Sequence, residues 1–535
     1  MTVPELLEAP PAGRSGPSAI RRTSLGPLTA SATVVLGLMV VGGAVRFIAA
    51  HQSMFADELS TYWIVATHGL GGVMSLLNGT YPGIQHAEIS PPLFFVASWL
   101  TSQLGHAPEL IRAPSLVAGI LTIPAVYALG LSTVGRTAAV LGATFTTLSP
   151  FMIYYSAEAR SYAVLMLLTT LSTLAMLRAA ETRRARWWVA YALLSCAAFY
   201  THYTCVFYLA AQFLWLAWVH REALRPAVLA TFGAALGVVP WAHGLINDLN
   251  SPTEGILSAL SPFTFDSVRH TLEHWTVGYP YVEAGGLARL PGTPALVLLG
   301  LAVVICAVGI GTRVVRERKG DQRVRVADRA TLIALLAVSV PVGEAVVSAV
   351  STQLFGVRNL AASWPALALS CAAAVLAAGA RLRYAAAVLV VASFVLGASK
   401  MLTVHFARPD FRAAADYIDR NARSGDVVID TTAVLSPGPL SGLDVVLHRR
   451  VPVVRAFARA EREHPFGLFD PVTSPAEAIT RATASSTGRR LIVVAFPNLA
   501  AVLARALPAG YRRLETRLYP EFIPLRLEIW AGPPR

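Results

Sequence analysis

Residues 31–62 read SATVVLGLMVVGGAVRFIAAHQSMFADELSTY, and this stretch decides the architecture. Its first twenty residues, 31–50, form an apolar run of the roughly 20-residue length that a helix needs to cross a bilayer. The run is too long and too weakly bounded for a secretory signal and lacks a small-residue cleavage site, so it is expected to be a retained span. Just beyond it stand two adjacent carboxylates, Asp57 and Glu58. A chain with few charges to place has put two of them at the lip of its first helix.

Hydrophobic residues make up 55% of the 535 positions and charged residues only 14%, with a mean hydropathy of +0.55. Soluble domains carry about 25% charged residues, so an α-helical polytopic membrane protein is expected. The net charge of +13 would point to nucleic acid in a soluble chain. Here the arginines gather in short loops between apolar runs and report topology, so no nucleic-acid partner is expected. Lys319 and Lys400 are the only lysines, while alanine and arginine abound, the usage of a GC-rich bacterial genome. The expected location is therefore a bacterial plasma membrane. Cys196, Cys205, Cys306 and Cys371 all fall in apolar runs without metal-ligand spacing and read as packed small hydrophobes.

Arg14, Arg21 and Arg22 precede the first span and assign residues 1–29 to the cytoplasm as an N-terminal tail. The loop 51–113 then starts outside, and its Asp57, Glu58, Glu88 and Glu109 face a single basic residue, Arg112. Within it the apolar segment 91–104, PPLFFVASWLTSQL, is too short to span and reads as interfacial or re-entrant. Further runs follow at 114–133, 137–152, 162–179, 188–200, 203–219, 226–244, 293–312, 330–350, 359–378 and 384–400. With 91–104 outside the count, Arg136, the 183–186 arginines, Arg221 and Arg225, the basic 313–329 loop, and Arg381 with Arg383 all fall inside. The charge pattern thus predicts about eleven transmembrane helices, with 11–13 as the range, in a module covering 30–404. From 405 the texture changes. RPDFRAAADYIDRNARSGDVVIDTT reads as a helix followed by a strand, and 489–497 and 522–532 as two more strands. An extracytoplasmic α/β domain is expected over 405–535. No internal repeat and no glycine-rich phosphate loop is present in the sequence.

Ionisable groups near membrane depth are functional candidates because each needs a partner or a task. Asp57 and Glu58, His86 and Glu88, Glu158 and Arg160, His202, and Arg358 come from loops assigned independently to the outer face. Adjacent carboxylates suit a general base with an orienting partner, or a base with a metal ligand. Guanidinium groups suit a phosphate. An outward site of this kind suggests group transfer from a lipid phosphate.

The same residues resemble a known family. The segments ADE (56–58), PPLFF (91–95), IRAPSLVAGILTIPAVYALG (111–130), LSPFMIYYSAEARSYAVL (148–165), YTHYTCVFYLAAQ (200–212), VPW (239–241) and FGVRNLAASWPALALS (355–370) carry the likeness. They occur in the order of C-class glycosyltransferases, and resemble most the polyprenyl-phosphate-sugar-dependent group of protein O-mannosyltransferases and lipid A aminoarabinose transferases. The likeness covers residues 35–380, and 111–165 is its most specific part. It implies a catalytic acid in the first external loop, a sugar donor on polyprenyl phosphate and inversion at the anomeric carbon. Asp57 would be the general base, with Glu58 beside it. Arg160 and Arg358 would neutralise the departing phosphate, and Glu158 would hold Arg160 or touch the acceptor. Tyr155, Tyr162, His202 and Tyr203 would line the cavity with His86 and Glu88. The chain departs from the family in having Ser90 before Pro91 and Pro92, where His or Lys is common, and Asn359 after Arg358, where Tyr is common. No cofactor is implied with certainty; a divalent metal on Glu88 with His86 or His202 is compatible with the residues.

The leading expectation is a membrane glycosyltransferase that moves mannose, or a pentose such as arabinose, to an envelope glycan, glycolipid or protein. A lipid-linked sugar flippase or a non-catalytic scaffold is the alternative. A transporter should show repeated halves and charges at the bilayer midplane, whereas here the charges cluster on one face.

Overall fold

The computed structural model describes residues 26–84, 86–251, 262–276, 293–319, 328–435, 439–457, 473–486 and 490–533. The N-terminal arginines 14, 21 and 22 and most of the basic 313–329 loop lie outside the described residues or their described side chains. Helices dominate. In chain order the first twelve are α1 (Gly26–Ala50), α2 (Asp57–Ala66), α3 (Leu70–Leu77), α4 (Leu93–Ser102), α5 (Pro108–Thr133), α6 (Arg136–Leu148), α7 (Pro150–Ser156), α8 (Tyr162–Thr182), α9 (Ala185–Phe199), α10 (Cys205–Val219), α11 (Leu224–Val238) and α12 (Ala242–Leu249).

All eleven apolar runs lie in helices. Among the described residues, eight helical segments are long and apolar enough to cross a membrane, and the bent pair α6–α7 makes a ninth. The remaining two runs are α9 and α10, of 15 residues each, about 22 Å of helix against a hydrocarbon core of about 30 Å. Because these two are consecutive, the sidedness of every other segment is the same whether both cross or neither does. The ten-residue α4 is too short to span, as its sequence predicts.

Hydrogen bonds show which loops share an end of the bundle. At one end Leu93 N–H donates to Tyr200 O (2.9 Å), the Ala159 N–H to Glu58 (2.7 Å) and Thr204 Oγ1 to Asn359 O (3.2 Å). At the other, Arg136 donates to Ser31 (2.7 Å), Arg329 to Ser132 O (2.8 Å) and Trp215 Nε1 to Asp328 O (2.9 Å). The loops that charge counting put on one face do meet there.

One span is broken, and the break aims the loop that follows it. Pro150 has no N–H to give Thr146, so the helix cannot continue through it. Ser149 instead caps α7 by accepting from Met152 N–H (3.3 Å), and α7 leaves α6 at 59°. The carbonyls that the break sets free are met by Arg46, which is fully buried in α1. Its guanidinium donates to Thr146 O (2.9 Å), Thr147 O (3.2 Å) and Ser156 Oγ (3.1 Å), bridging the break. Gly119 of α5 lets α7 come close: a Cβ there would lie 2.0 Å from Ser156 Oγ.

Beyond Met401 the chain builds a five-stranded sheet in the order β2-β1-β3-β5-β4. Its strands are β1 (Val427–Asp430), β2 (Val453–Arg455), β3 (Arg490–Ala495), β4 (Arg512–Tyr519) and β5 (Leu525–Ala531). β1 runs parallel to β2 and β3, and β5 pairs antiparallel with β3 and β4. The helix Phe411–Asn421 and strands β1, β3 and β5 fall where the sequence predicts them. Both edge strands escape that reading. β2 has three residues, and the face of β4 is mostly exposed, so neither carries a buried apolar signature.

Replacing Arg46 with Met leaves two buried carbonyls unmet at the break. The thermal midpoint in detergent is expected to fall by the equivalent of about 2–4 kcal/mol. Arg46→Lys should recover little of it, since one ammonium cannot reach all three acceptors; an unchanged midpoint in Arg46→Met would refute the bracing role.

Candidate active site

Asp57 is the first residue of α2. Ala56 before it sits at φ 52 and ψ −127, a conformation that favours glycine and costs about 1–3 kcal/mol for other residues. Such a backbone persists only where its surroundings over-determine it, and both neighbours of the Ala56–Asp57 pair are anchored. Phe55 packs against the core of the C-terminal domain. Glu58 is fully buried and fully engaged: Arg112 grips it with two bonds of 2.7 Å, the Ala159 N–H donates at 2.7 Å, and Arg408 donates to Oε2. Burial works to raise the Glu58 pKa, but the two guanidinium groups and the Ala159 N–H outweigh it and hold the carboxyl below its ordinary value. Glu58 is therefore held as an ion-paired pin, with both carboxylate oxygens bonded.

The Asp57 side chain is 35% exposed and forms an ion pair with Arg358. Here too burial pushes the pKa up, and Arg358, with help from Arg160, brings it below the ordinary carboxylate range. Arg160 is held by Glu88 through bonds of 2.5 and 3.0 Å, and it also donates to Ser90 Oγ (3.3 Å), whose hydroxyl donates to Glu88 (2.9 Å). Ser90, just before Pro91 and Pro92, thus serves to orient the Glu88–Arg160 pair. Of the two expectations for Glu158, holding Arg160 or touching the acceptor, the first is corrected: Glu88 holds Arg160, and Glu158 turns toward Arg408, 4.0 Å away. Burial raises the Glu158 carboxyl to about 7; Arg408 opposes the shift, and the neighbouring Glu58 and Asp57 add to it.

Tyr155 and Tyr162 stand edge to face at 4.8 Å, and His202 lies 5.6 Å from Tyr162. Burial, then Arg358 and Arg160, lower His202 to about 3, so its ring is neutral at physiological pH, with Nδ1 bonded to Thr204 Oγ1 (2.9 Å). Tyr203 turns elsewhere: its hydroxyl donates to Asp248 (2.5 Å) and accepts from Trp241 Nε1 (3.0 Å). His86 occupies a turn at φ 53, with Nδ1 buried and without a hydrogen-bond partner. Among the described residues no three His, Cys, Asp or Glu side chains converge as metal ligands. Glu88, the acid expected to hold a metal, is occupied by Arg160, Ser90 and the Ile89 N–H. The four cysteines are free.

Two residues essential to this geometry escaped the sequence reading, Arg112 and Arg408. The signal for Arg112 was its isolation as the single basic residue among the acids of 51–113. Arg408 opens the RPDF segment more than three hundred residues from its partner, and nothing local marks it.

The family described as dolichyl-phosphate-mannose-protein mannosyltransferase matches residues 89–244. ArnT from Cupriavidus metallidurans, crystallised with undecaprenyl phosphate, superposes with a TM-score of 0.51 at 13% identity, over 95% of this chain and 98% of that one. The chain has the C-class glycosyltransferase fold. A second structure of this fold, the archaeal oligosaccharyltransferase AglB from Archaeoglobus fulgidus in complex with an inhibitory peptide and a dolichol-phosphate, matches with a TM-score of 0.50 at 11% identity, over 88% of this chain and 70% of that one. A comparison with curated proteins gave no match. The family match runs from the residue after Glu88 into the first turn of α12 and so includes Arg160, Glu158 and His202.

The raised Glu158 carboxyl gives stability a definite pH dependence. Below about pH 4.5 the group is protonated in both folded and unfolded chains; as pH climbs through about 7 the folded state holds the proton longer, so stability falls. Glu158→Gln removes this loss, and its advantage in stability over wild type should grow by about 2–3 kcal/mol from pH 5 to pH 8. His202 acts in the opposite sense and is common to both chains, so the comparison isolates Glu158. A pH-independent difference in melting would refute the assignment.

Proposed function

We propose that the protein is a glycosyltransferase that transfers a sugar from a polyprenyl-phosphate carrier to an acceptor hydroxyl, with inversion, on the outer face of a bacterial plasma membrane. The observation that carries this reading is the part-exposed Asp57 carboxylate paired with Arg358 and close to the buried Arg160–Glu88 pair. This cluster offers a base for the acceptor and two cations for a phosphate. The undecaprenyl phosphate and dolichol-phosphate bound by the two structural neighbours support a donor of that class. The sugar in this reading is mannose or a pentose such as arabinose, and the acceptor is a glycan, glycolipid or protein of the cell envelope. The α/β domain and the first loop lie on the extracytoplasmic side.

The chemistry follows from the charges. The acceptor oxygen attacks the anomeric carbon, its proton passes to Asp57, and the bond to the phosphate oxygen breaks. Negative charge accumulates on the departing phosphate, where Arg358 and Arg160 stabilise it; such stabilisation is usually the largest catalytic contribution in a preorganised site. Before the donor arrives Arg358 is committed to Asp57, which makes the carboxylate a weak base. A phosphate that draws Arg358 toward itself relieves that hold, and the basicity of Asp57 rises when there is a donor to attack. Neutral His202 and the tyrosine pair stand beside these groups without competing for the phosphate.

The test uses purified full-length protein in proteoliposomes with radiolabelled polyprenyl-phosphate mannose or arabinose and an envelope acceptor extract. Wild type is expected to transfer one of the two sugars, and Asp57→Asn to be slower by about 10³-fold. Equal rates in both chains would remove Asp57 as base; no transfer of either sugar by wild type would overturn the donor assignment.

A further inference from the structure

Arg408 belongs to the segment that follows the last helix of the bundle, Leu382–Met401, and leads into the C-terminal domain. Its guanidinium is nevertheless buried, 5% exposed, among groups from the first part of the chain. It donates to Glu58 Oε2, lies 4.0 Å from Glu158 Oε1, and stacks over the Tyr154 ring at 5.1 Å. Its backbone N–H donates to Gln52 Oε1 (3.2 Å). The neighbouring Arg412 repeats the attachment, donating to Glu109 (2.6 Å) and, through its backbone, to Ser53 Oγ (3.3 Å).

None of these contacts reaches Asp57 itself. They reach its neighbours. Glu58 follows Asp57, and Phe55, two residues before it, packs with Phe411 and the rest of the C-terminal domain core. Ala56 between them is held in a conformation that a free loop would leave. The direction of the Asp57 carboxylate is thus set by a short strained turn whose two ends are fastened, one wholly and one in part, to the C-terminal domain.

We infer that Arg408 is a positioning residue for the proposed transfer: it aims Asp57 by fixing Glu58, so that the C-terminal segment supplies part of the working geometry of the active site. This rests on Asp57 acting as the base. Arg112 and the Ala159 N–H keep Glu58 paired when Arg408 is removed, so its loss should loosen the turn without unfolding the chain. Removing the base by about 1 Å from its line of attack slows a reaction by about 100-fold without weakening substrate binding.

The experiment compares wild type, Arg408→Ala, Arg408→Lys and Phe55→Leu as full-length proteins in proteoliposomes. It measures kcat and KM for the polyprenyl-phosphate sugar and, separately, hydrogen exchange of the backbone amides over 54–62. Arg408→Ala is expected to lose about 100-fold in kcat with donor KM little changed, and to exchange faster at Glu58 and Leu59. Arg408→Lys, which keeps one donor for Glu58, should recover much of both, and Phe55→Leu should lower kcat through the other anchor. Unchanged kcat in Arg408→Ala, a loss confined to KM, or unchanged exchange over 54–62 would each overturn the inference. Should Arg408→Ala fail to fold, full activity in both Arg408→Lys and Phe55→Leu would overturn it as well. Faster exchange in Arg408→Ala, in a set where even wild type transfers no sugar, would uphold the clamp while overturning the donor assignment.

Discussion

A carboxylate with no access to water must be paired, and the demands of Glu58 organise the candidate-site end of this protein. Desolvating it alone would be prohibitive; with Arg112, Arg408 and the Ala159 N–H around it, the charge becomes a fixed point. Four stretches of chain remote in sequence converge on that point: the start of α2, the middle of the first loop's return into α5, the turn after α7, and the entry to the C-terminal domain. Arg112 spends its remaining donors on the carbonyls of Ala50, Gln52 and Ser53, tying the end of α1 into the same knot.

The division of labour between the two adjacent acids follows from burial. Glu58 is enclosed and quadruply bonded, which makes it structural. Asp57, one residue back along the same helix, turns its carboxylate to the partly open side and is paired with Arg358. Adjacent residues on a helix point about 100° apart, so one position can face the core while the next faces a cavity. A second buried charge works on the same principle from below: Arg46 satisfies the carbonyls released by Pro150, and the redirected α7 delivers Glu158, Ala159 and Arg160 to the pocket.

Much of this was legible in the sequence. Composition, run length and the alternation of arginine loops gave the helical bundle and told which loops share an end, since these depend on bulk hydrophobicity and charge summed over many residues. The central strands β1, β3 and β5 were visible as buried apolar runs, while the edge strands β2 and β4 were not, because solvent faces them. At the site, Asp57, Arg160, Arg358, Glu158, His202, Tyr155 and Tyr162 come together as their loops suggested. Pairing was less legible than membership. Glu158 lies two residues from Arg160 and was the natural partner, yet Glu88 holds that arginine from seventy-two positions away, and Arg408 reaches Glu58 across three hundred and fifty. Partners at such separations are set by packing, which no local pattern records.

The position of Arg408 in the chain also orders the protein's assembly. A ribosome makes the first loop early, and Glu58, paired by then with Arg112, waits for its second cation, Arg408, which is synthesised only after the last helix of the bundle, Leu382–Met401. A nascent chain can therefore have every apolar helix inserted and still lack the last contact of the Glu58 cluster. Completion of the Glu58 cluster is deferred to the final quarter of translation, so truncated products embedded in the membrane lack the bond that ties the first loop to the C-terminal domain.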